Sequence, residues 1–401
     1  MTAYLGSKET IIDINTPKSI IAVLFLAVAG ACMFILQPVY VQGLVGYLKF
    51  SESDAGVITS AEMFGLAATA VVTNFIINLV NWRVLTLIFI ALATLGNVLS
   101  VGVTDINVLI MARVVAGLGC GGLISITFIM MGLTLRSDRN LALIVVCVLT
   151  YGALGLFVMP SVFHHFSVDG VLIFFSAFCA SCLLFVGYLP CSHQMHEEAV
   201  TEASSYSMPI KLLSLLGVLA YNLAIGIVWV YMFLVGTDAG IKEQTVANVL
   251  TVSQILGIAG AFLVVVFERR FGRHLPLLAG IVGSALAIGL LLGKPDFILF
   301  TLGVCAFNFL WNFSMPYIFA VLADFDARGK MVAAGVSLQL IGFAFGPAIA
   351  SAMLGDANYS LVNSIAIALF LLSAVLLFPG LRVQDKQYAA ATNGSSVAMG
   401  S

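Results

Sequence analysis

Long apolar stretches separated by short polar connections dominate this chain. Each stretch holds about 20 or more mostly apolar residues, which is the length that an α-helix needs to cross a bilayer. Most connections are only a few residues long, as at 104–106 and 294–296. The pattern predicts twelve transmembrane helices, at 19–47, 55–80, 84–103, 107–133, 141–163, 170–191, 209–236, 245–267, 275–293, 297–323, 331–354 and 359–381.

The longest internal polar stretch, 192–208, falls between the sixth and seventh predicted spans. We therefore predict an all-α membrane protein of two pseudo-symmetric six-helix bundles, 19–191 and 209–381, joined by a cytoplasmic linker. Residues 1–18 form a cytoplasmic N-terminal segment. The tail 382–401 is also cytoplasmic, and its Ala, Ser and Gly content is typical of disorder.

Composition supports lipid as the solvent for most of the chain. Hydrophobic residues make up 61% of its 401 residues and charged residues 9%, against about 45–50% and 25% in soluble domains. The formal net charge of −2 gives no reason to expect a nucleic-acid partner. There is no G-x-x-x-x-G-K-[ST] motif, so we do not expect ATP to drive the protein. We expect no cofactor and no bound metal.

The distribution of Lys and Arg predicts the orientation, because cytoplasmic loops are enriched in basic residues. With a cytoplasmic N-terminus, thirteen basic residues lie on the cytoplasmic side and three on the other side, Lys49, Lys242 and Lys294. Arg113 lies within a span, which accounts for all 17 Lys and Arg residues. We expect a multi-pass inner-membrane protein with both termini in the cytoplasm.

Only two charged residues lie clearly inside predicted spans, Glu62 in the second and Arg113 in the fourth. A charge at such a position costs about 2.5–3.5 kcal/mol on insertion scales and is usually functional. Both lie roughly 10 Å below the outer end of their helices at 1.5 Å per residue, so an ion pair is plausible.

Three roles remain open for these two residues. In the first, Glu62 carries protons, and burial and Arg113 act in opposite directions on its protonation. In the second, the pair is a fixed clasp within the first bundle. In the third, Arg113 binds a substrate carboxylate or phosphate.

Three motifs resemble those of the major facilitator superfamily, and the resemblance in outline extends over all twelve spans. The segment from Arg270 to His274 is similar to the family's D-R-x-G-R-R loop, although the matching loop of the first half keeps only Arg83. The fourth span has an R-x-x-x-G-x-G stretch that begins at Arg113. The eleventh span has a G-x-x-x-G-P motif that family antiporters carry in their fifth helix. Its residues are Gly342, Gly346 and Pro347.

The resemblance implies a central cavity lined by the first, fourth, seventh and tenth helices. Polar and aromatic residues of these spans fall on single helical faces, as the i, i+3, i+4 spacing of Asn308, Trp311 and Asn312 shows. Amides rarely face lipid, where they would lack partners. The candidate substrate-binding residues are Gln37, Tyr40, Arg113, Asn222, Trp229, Asn308, Trp311 and Asn312, with Tyr151, Gln254 and Gln339 as weaker candidates. The alternative role for these polar residues is hydrogen bonding between helices.

Basic loops and small-residue motifs are candidates for gating. Loop cations can latch onto acids or helix C-termini, and Gly-rich stretches permit close helix contact or bending. The candidates are Arg83, Arg270, Gly272, Arg273, Asp324, Gly342, Gly346 and Pro347. Topological charge and helix packing explain the same residues without a gate.

The resulting hypothesis is a monomeric, proton-coupled secondary transporter, not an enzyme. It would move a small organic solute, amphipathic or monoanionic, across the inner membrane by alternating access. The eleventh-span motif favours export by antiport. The alternatives are a proton-coupled importer of a small organic nutrient or anion, and a membrane sensor that binds without transporting.

Overall fold

Helices make up the regular structure of the described chain. The computed structural model describes residues 12–77, 79–191, 206–267, 274–325, 330–355 and 358–398, and no strand occurs in these ranges. The α-helices are α1 Pro17–Gly46, α2 Glu52–Ile76, α3 Trp82–Leu99, α4 Ile106–Gly132, α5 Ser137–Ser181, α6 Met208–Asp238, α7 Glu243–Phe267, α8 His274–Gly289, α9 Phe297–Asp324, α10 Lys330–Met353 and α11 Tyr359–Ala398. A 3-10 helix, Cys182–Tyr188, follows α5.

Polar residues of the short connections set where the helices begin. Thr16 caps α1 by accepting a hydrogen bond from the Ser19 amide at 3.3 Å, and a proline occupies the first turn. The Asp105 carboxylate caps α4 by accepting from the amides of Asn107 and Val108 at 2.9 and 3.0 Å. Such side chains satisfy amides that the first helical turn leaves without a partner.

Ten of the described helical segments are long and apolar enough to cross a membrane, by length and composition alone. The segment 139–188 counts once among them, and α8 is a shorter apolar helix of 16 residues. The chain is therefore an all-α protein with several candidate spans. Helix α11 also continues past 381, where we predicted the last span to end.

The fifth and sixth predicted spans are not separated by a loop. Both begin within α5, whose 45 residues comprise two helices joined at a kink at Ser167, where φ is 57°, and the sixth span continues into the 3-10 helix. At 1.5 Å per residue this helix would be about 68 Å long if straight, roughly twice the 30 Å hydrocarbon core of a bilayer. The single positive φ, which is rare for a residue other than glycine, divides α5 into two arms.

The connection between α1 and α2, residues 47–51, marks what we call the distal end of the molecule. The opposite, proximal end holds the connection between α4 and α5, where the Leu135 amide donates to Asn15 of the N-terminal segment at 2.8 Å. Within the N-terminal half of the chain, α4 packs on α2 and α3, and α1 packs on α5. Within the C-terminal half, α6 packs on α10 and α11, and α9 packs on α7 and α8. The most extensive contacts between the halves are those of α2 with α10, α5 with α7, and α1 with α6.

Candidate functional site

Glu62 and Arg113 meet inside the N-terminal half. Arg113 Nη1 lies 3.7 Å from Glu62 Oε2, and both side chains are almost wholly buried. Helices α2 and α4 touch here because Gly117 lies against the backbone carbonyl of Glu62, where a Cβ would collide with that oxygen. Neither Nη1 nor Oε2 has a hydrogen-bond partner. The two groups therefore attract each other by charge, without a hydrogen bond to fix their geometry.

Helix α3 holds Arg113 from the other side. Its Nη2 lies 2.9 Å from the Gly96 carbonyl, 3.0 Å from Asn97 Oδ1 and 2.7 Å from Ser100 Oγ. Its Nε donates to the same Ser100 oxygen at 3.0 Å. The guanidinium thus keeps its position whether or not Glu62 attracts it. Asn97 and Ser100 are not among the predicted site residues, although polar residues one turn apart in an apolar span could have indicated them.

Two candidates on α1 are buried near the middle of the molecule. Gln37 and Tyr40 are 2% and 1% exposed. The Gln37 Nε2 amide and the Tyr40 hydroxyl both lack a hydrogen-bond partner. These groups keep free hydrogen-bonding capacity, as a substrate-binding role requires.

An aromatic cluster joins the two halves of the chain. The Trp229 indole donates to the Phe34 carbonyl at 3.2 Å, and the rings of Trp229 and Trp311 are 5.8 Å apart, edge to face. Phe34 stacks on Phe343 with a centroid distance of 4.9 Å and meets Trp311 at 6.4 Å. The cluster gives α1, α6, α9 and α10 a common apolar contact.

The amides of α9 bond to their neighbours. Asn308 Nδ2 donates to Ser253 Oγ of α7 at 3.1 Å, and Asn312 Nδ2 donates to Asn308 Oδ1 at 3.0 Å. These bonds link α7 and α9, which is the structural role we kept as an alternative. Gln254, next to Ser253, differs because both atoms of its buried amide lack a partner.

The remaining substrate candidates contact other residues. Asn222 donates to the Val218 carbonyl at 2.8 Å within α6. Tyr151 stacks on Phe178 inside α5, with a centroid distance of 5.6 Å. Gln339 lies 4.0 Å from the sulfur of Met315. A substrate-binding role for these three residues stays a prediction.

Hydrogen bonds between the halves close the distal end. Those that the described residues form lie between the molecule's middle and its distal end. They include Gln42 Nε2 to Glu243 Oε1 at 2.9 Å, Tyr231 hydroxyl to the Glu52 carbonyl at 2.9 Å, Ser351 Oγ to the Ser53 carbonyl at 2.7 Å, Ser60 Oγ to the Ala344 carbonyl at 2.7 Å, Thr251 Oγ1 to the Ala153 carbonyl at 3.2 Å, Gln244 Nε2 to the Phe157 carbonyl at 3.2 Å, and the Trp229 bond described above. Three of them involve α2, the helix that carries Glu62.

The predicted gating residues fall in different places. Arg83 donates to the Leu189 carbonyl at 2.7 Å, a contact within the N-terminal half, and Asp324 is the last residue of α9. Arg270, Gly272 and Arg273 lie outside the described residues.

The eleventh-span motif lies at a helix crossing. Gly342 and Gly346 of α10 lie against Asn222 and Gly226 of α6, and a Cβ at either glycine would come within 2.6–2.7 Å of α6 atoms. Pro347 follows in α10 and is buried. Close helix packing explains these glycines, and a gating role for the motif stays a prediction.

Comparisons with known proteins agree with this architecture. A sequence model of the Major Facilitator Superfamily matches residues 213–397. Among curated protein sequences, none matches the chain. Three solved structures share the fold: a D-xylose–proton symporter (16% identity, 89% of this chain and 96% of that chain, TM-score 0.70), the inward-open xylose transporter XylE from E. coli (16%, 90% and 96%, 0.68), and the nucleoside transporter NupG (12%, 92% and 99%, 0.67). At these identities the likeness is one of fold.

Proposed function

We propose that this chain belongs to the Major Facilitator Superfamily and is a proton-coupled secondary transporter, because the superfamily's sequence model matches residues 213–397 and the fold of the whole resembles that of a D-xylose–proton symporter. It moves a small organic solute across the inner membrane by alternating access, and Glu62 carries the coupled proton. The observation that carries this proposal is the buried contact between Glu62 and Arg113.

Twelve spans in two six-helix bundles remain our proposed topology. The ten candidate spans count the two arms of α5 as one. Dividing α5 at Ser167 adds one span, and α8 with its apolar flanks adds another. The packing supports two bundles, since most helix contacts are made within each half of the chain.

The distribution of basic residues supports a cytoplasmic position for both termini. In that orientation the distal end faces outward. The hydrogen bonds that close this end then make the structure an outward-closed state, and the solute would leave or enter from the cytoplasm. Alternating access requires these bonds to break when the halves rock.

Glu62 is suited to bind and release a proton because no hydrogen bond from Arg113 holds its carboxylate in place. Its Oε2 lies 3.7 Å from Arg113 Nη1 and accepts no hydrogen bond. Arg113 is anchored on α3 and cannot be deprotonated, so the carboxylate is the member of the pair that can change charge. A substrate-binding role for Arg113 is less well supported, because four short contacts to α3 already occupy its Nε and Nη2.

Helix α2 connects the proton site to the closed distal end. Glu62 lies half a turn from Ser60, which bonds to the Ala344 carbonyl of α10, and α2 also carries Ser53 and Glu52. A change in the attraction between Glu62 and α4 would therefore act on α2, the same helix that is hydrogen-bonded to the C-terminal half. This supports Glu62 as the coupling residue.

The observations support two directions of transport, export by antiport and uptake by symport. Helix packing accounts for Gly342 and Gly346, so the motif that favoured export by antiport has a structural explanation. One structure with the same fold is a D-xylose–proton symporter, which supports uptake with protons. We propose symport, with proton-coupled export as the second candidate.

The test uses purified protein in proteoliposomes that contain a pH-sensitive dye. D-xylose, uridine and benzoate serve as probe solutes, with and without an imposed pH gradient. The wild-type protein should move a probe together with protons, and the sign of the proton flux separates symport from antiport. Glu62→Gln should abolish proton-driven accumulation and keep exchange of the probe at equal concentrations.

Glu62→Asp is the matched control, since it keeps a titratable carboxylate at this position and should retain part of the coupling. Unchanged proton-driven transport in Glu62→Gln would refute the role of Glu62. A probe that binds the wild-type protein without crossing the membrane would show a sensor and refute transport itself.

A further inference from the structure

Gln254 has a fully buried side chain whose amide bonds to nothing. Its exposure is 0%, and neither Nε2 nor Oε1 has a hydrogen-bond partner. A primary amide offers two donors and an acceptor oxygen, and buried polar groups are nearly always paired. An amide left in this state is ready to receive a partner that the protein itself does not supply.

The amide lies where helices of both halves meet. A Cβ on Gly152 of α5 would be 3.6 Å from Gln254 Cδ and 2.6 Å from Ile35 Cγ1 of α1, so α1 and α5 both pack closely beside the amide. One turn closer to the distal end, Thr251 donates to the Ala153 carbonyl at 3.2 Å and closes the junction. Gln254 thus lies on the inner side of the closed distal end.

Neighbouring amides show that Gln254 is not simply one more bond between helices. Asn308 and Asn312 are satisfied by Ser253 and by each other. Gly257, one turn along α7 from Gln254, lies against both of them, since its Cβ would be 2.8 Å from Asn312 Nδ2 and 2.9 Å from Asn308 Oδ1. Asn308 and Asn312 therefore link α7 and α9 without any contribution from Gln254.

An aromatic cluster lies near this region. Trp311 precedes Asn312 on α9, and its ring meets those of Phe34, Trp229 and Phe343 between the two halves. Aromatic rings attract one another in edge-to-face as well as offset-stacked arrangements, so a planar ring is compatible with this cluster.

The interior offers no net charge to an ionic solute. Among the described residues inside the spans, Glu62 and Arg113 face each other, and Arg113 is otherwise occupied by α3. A buried ion would need a counter-ion of its own. These features favour an uncharged solute.

Building on the transporter function above, we propose that Gln254 determines specificity for an uncharged, planar solute with an adjacent hydrogen-bond donor and acceptor on one edge. The amide pairs with that edge through both of its atoms, and the ring lies towards the aromatic cluster. A pyrimidine nucleoside has this chemistry, because its base presents an N–H beside a carbonyl oxygen.

The experiment measures thermal shifts of the purified full-length protein with uridine, 3-methyluridine, D-xylose and benzoate. Methylation at N3 removes the donor from the edge and leaves the ring in place. Uridine should raise the melting temperature, and 3-methyluridine should bind at least about tenfold more weakly, as expected when a site built for a hydrogen bond meets an analogue that lacks it. Gln254→Met has a side chain of similar length without the amide and should lose the response to uridine.

The same variant separates binding from a structural role. Replacing an amide that has no partner removes a desolvation cost, so Gln254→Met without solute should melt at the wild-type temperature or above. Asn308→Leu is the control, and it should melt lower because it breaks the bonds to Ser253 and Asn312.

The remaining outcomes either overturn the proposed role of Gln254 or separate it from the transporter function. A lower melting temperature for Gln254→Met would show that the amide is structural and overturn the proposal, as would equal responses to uridine and 3-methyluridine or no response to uridine. Stabilisation by benzoate or D-xylose alone would also overturn it and leave transport intact. Uridine binding that depends on Gln254, without uridine flux in proteoliposomes, would support the binding site and refute the transporter function.

Discussion

Removing one charge of the Glu62–Arg113 pair should destabilise the protein more than removing both. At 3.7 Å and an effective dielectric constant of about 20, Coulomb's law gives an attraction of about 4.5 kcal/mol. Glu62→Gln deletes it and leaves Arg113 buried with its charge, a change that typically costs about 3–5 kcal/mol. The free energy of unfolding should fall by that amount.

Arg113→Met, the second variant, tests whether losing the cation costs less than losing the carboxylate. Arg113→Met leaves a carboxylate that can neutralise itself by taking up a proton, but it also removes the donor to Asn97 Oδ1. Ser100 keeps a partner, since its hydroxyl donates to the Gly96 carbonyl at 2.7 Å. The double variant carries no buried charge, so we expect a coupling energy of about 2–4 kcal/mol between the two sites.

Unfolding in mixed micelles with increasing SDS, followed by circular dichroism, measures these free energies. Ser100→Ala is the control, because it removes a hydrogen-bond partner of Arg113 without changing charge and should cost about 1 kcal/mol. Additive losses within about 0.5 kcal/mol would contradict the ion pair. A loss below about 1 kcal/mol for Glu62→Gln alone would show that Glu62 is already neutral in the folded protein.

Two further predictions concern the helix contacts. Gly117→Ala should lower stability by about 1–3 kcal/mol through overpacking against the Glu62 carbonyl. Gly132→Ala is the control, and it should melt like the wild type because Gly132 has open space around it. Equal melting temperatures for the two variants would contradict the close contact of α2 and α4. Ser351→Ala should weaken the closed distal end by about 1 kcal/mol, seen as faster hydrogen exchange of the amides around Ser53, and unchanged exchange would show that this bond does not hold the closed state.

The sequence predicts the helices well because lipid imposes a simple requirement on them. A span must satisfy its backbone internally and present apolar side chains, so hydropathy alone indicates most of the segments. It does not predict the direct junction at Ser167, where the helices of the fifth and sixth predicted spans meet at a kink without a loop. The polar residues His164, His165 and Asp169 lie between the two predicted spans and are typical of a loop. A helix tolerates polar residues where it extends beyond the hydrocarbon core, however, and hydropathy does not report backbone angles.

Side-chain partners were harder to predict than helices. Equal depth in neighbouring spans was enough to pair Glu62 with Arg113, because few charges compete inside a bilayer. The anchoring of Arg113 on α3 was missed, since Asn97 and Ser100 are uncharged and the rotation of α3 is set by packing. Spacing alone placed Asn308 and Asn312 in the cavity, whereas the structure bonds them to each other and to α7.

The geometry of α2 explains why one carboxylate could govern a whole conformational change. Attraction between Glu62 and Arg113 draws α2 towards α4, and the close contact at Gly117 leaves little room for the two helices to slide. The opposite side of α2 bonds to α10 through Ser60 and Ser53. An attraction of a few kcal/mol at Glu62 is comparable to the sum of two or three such hydrogen bonds at about 1 kcal/mol each. In the proposed mechanism, protonation of Glu62 would remove an attraction of the same size as the bonds between α2 and α10, which is enough to shift the balance between their formed and broken states.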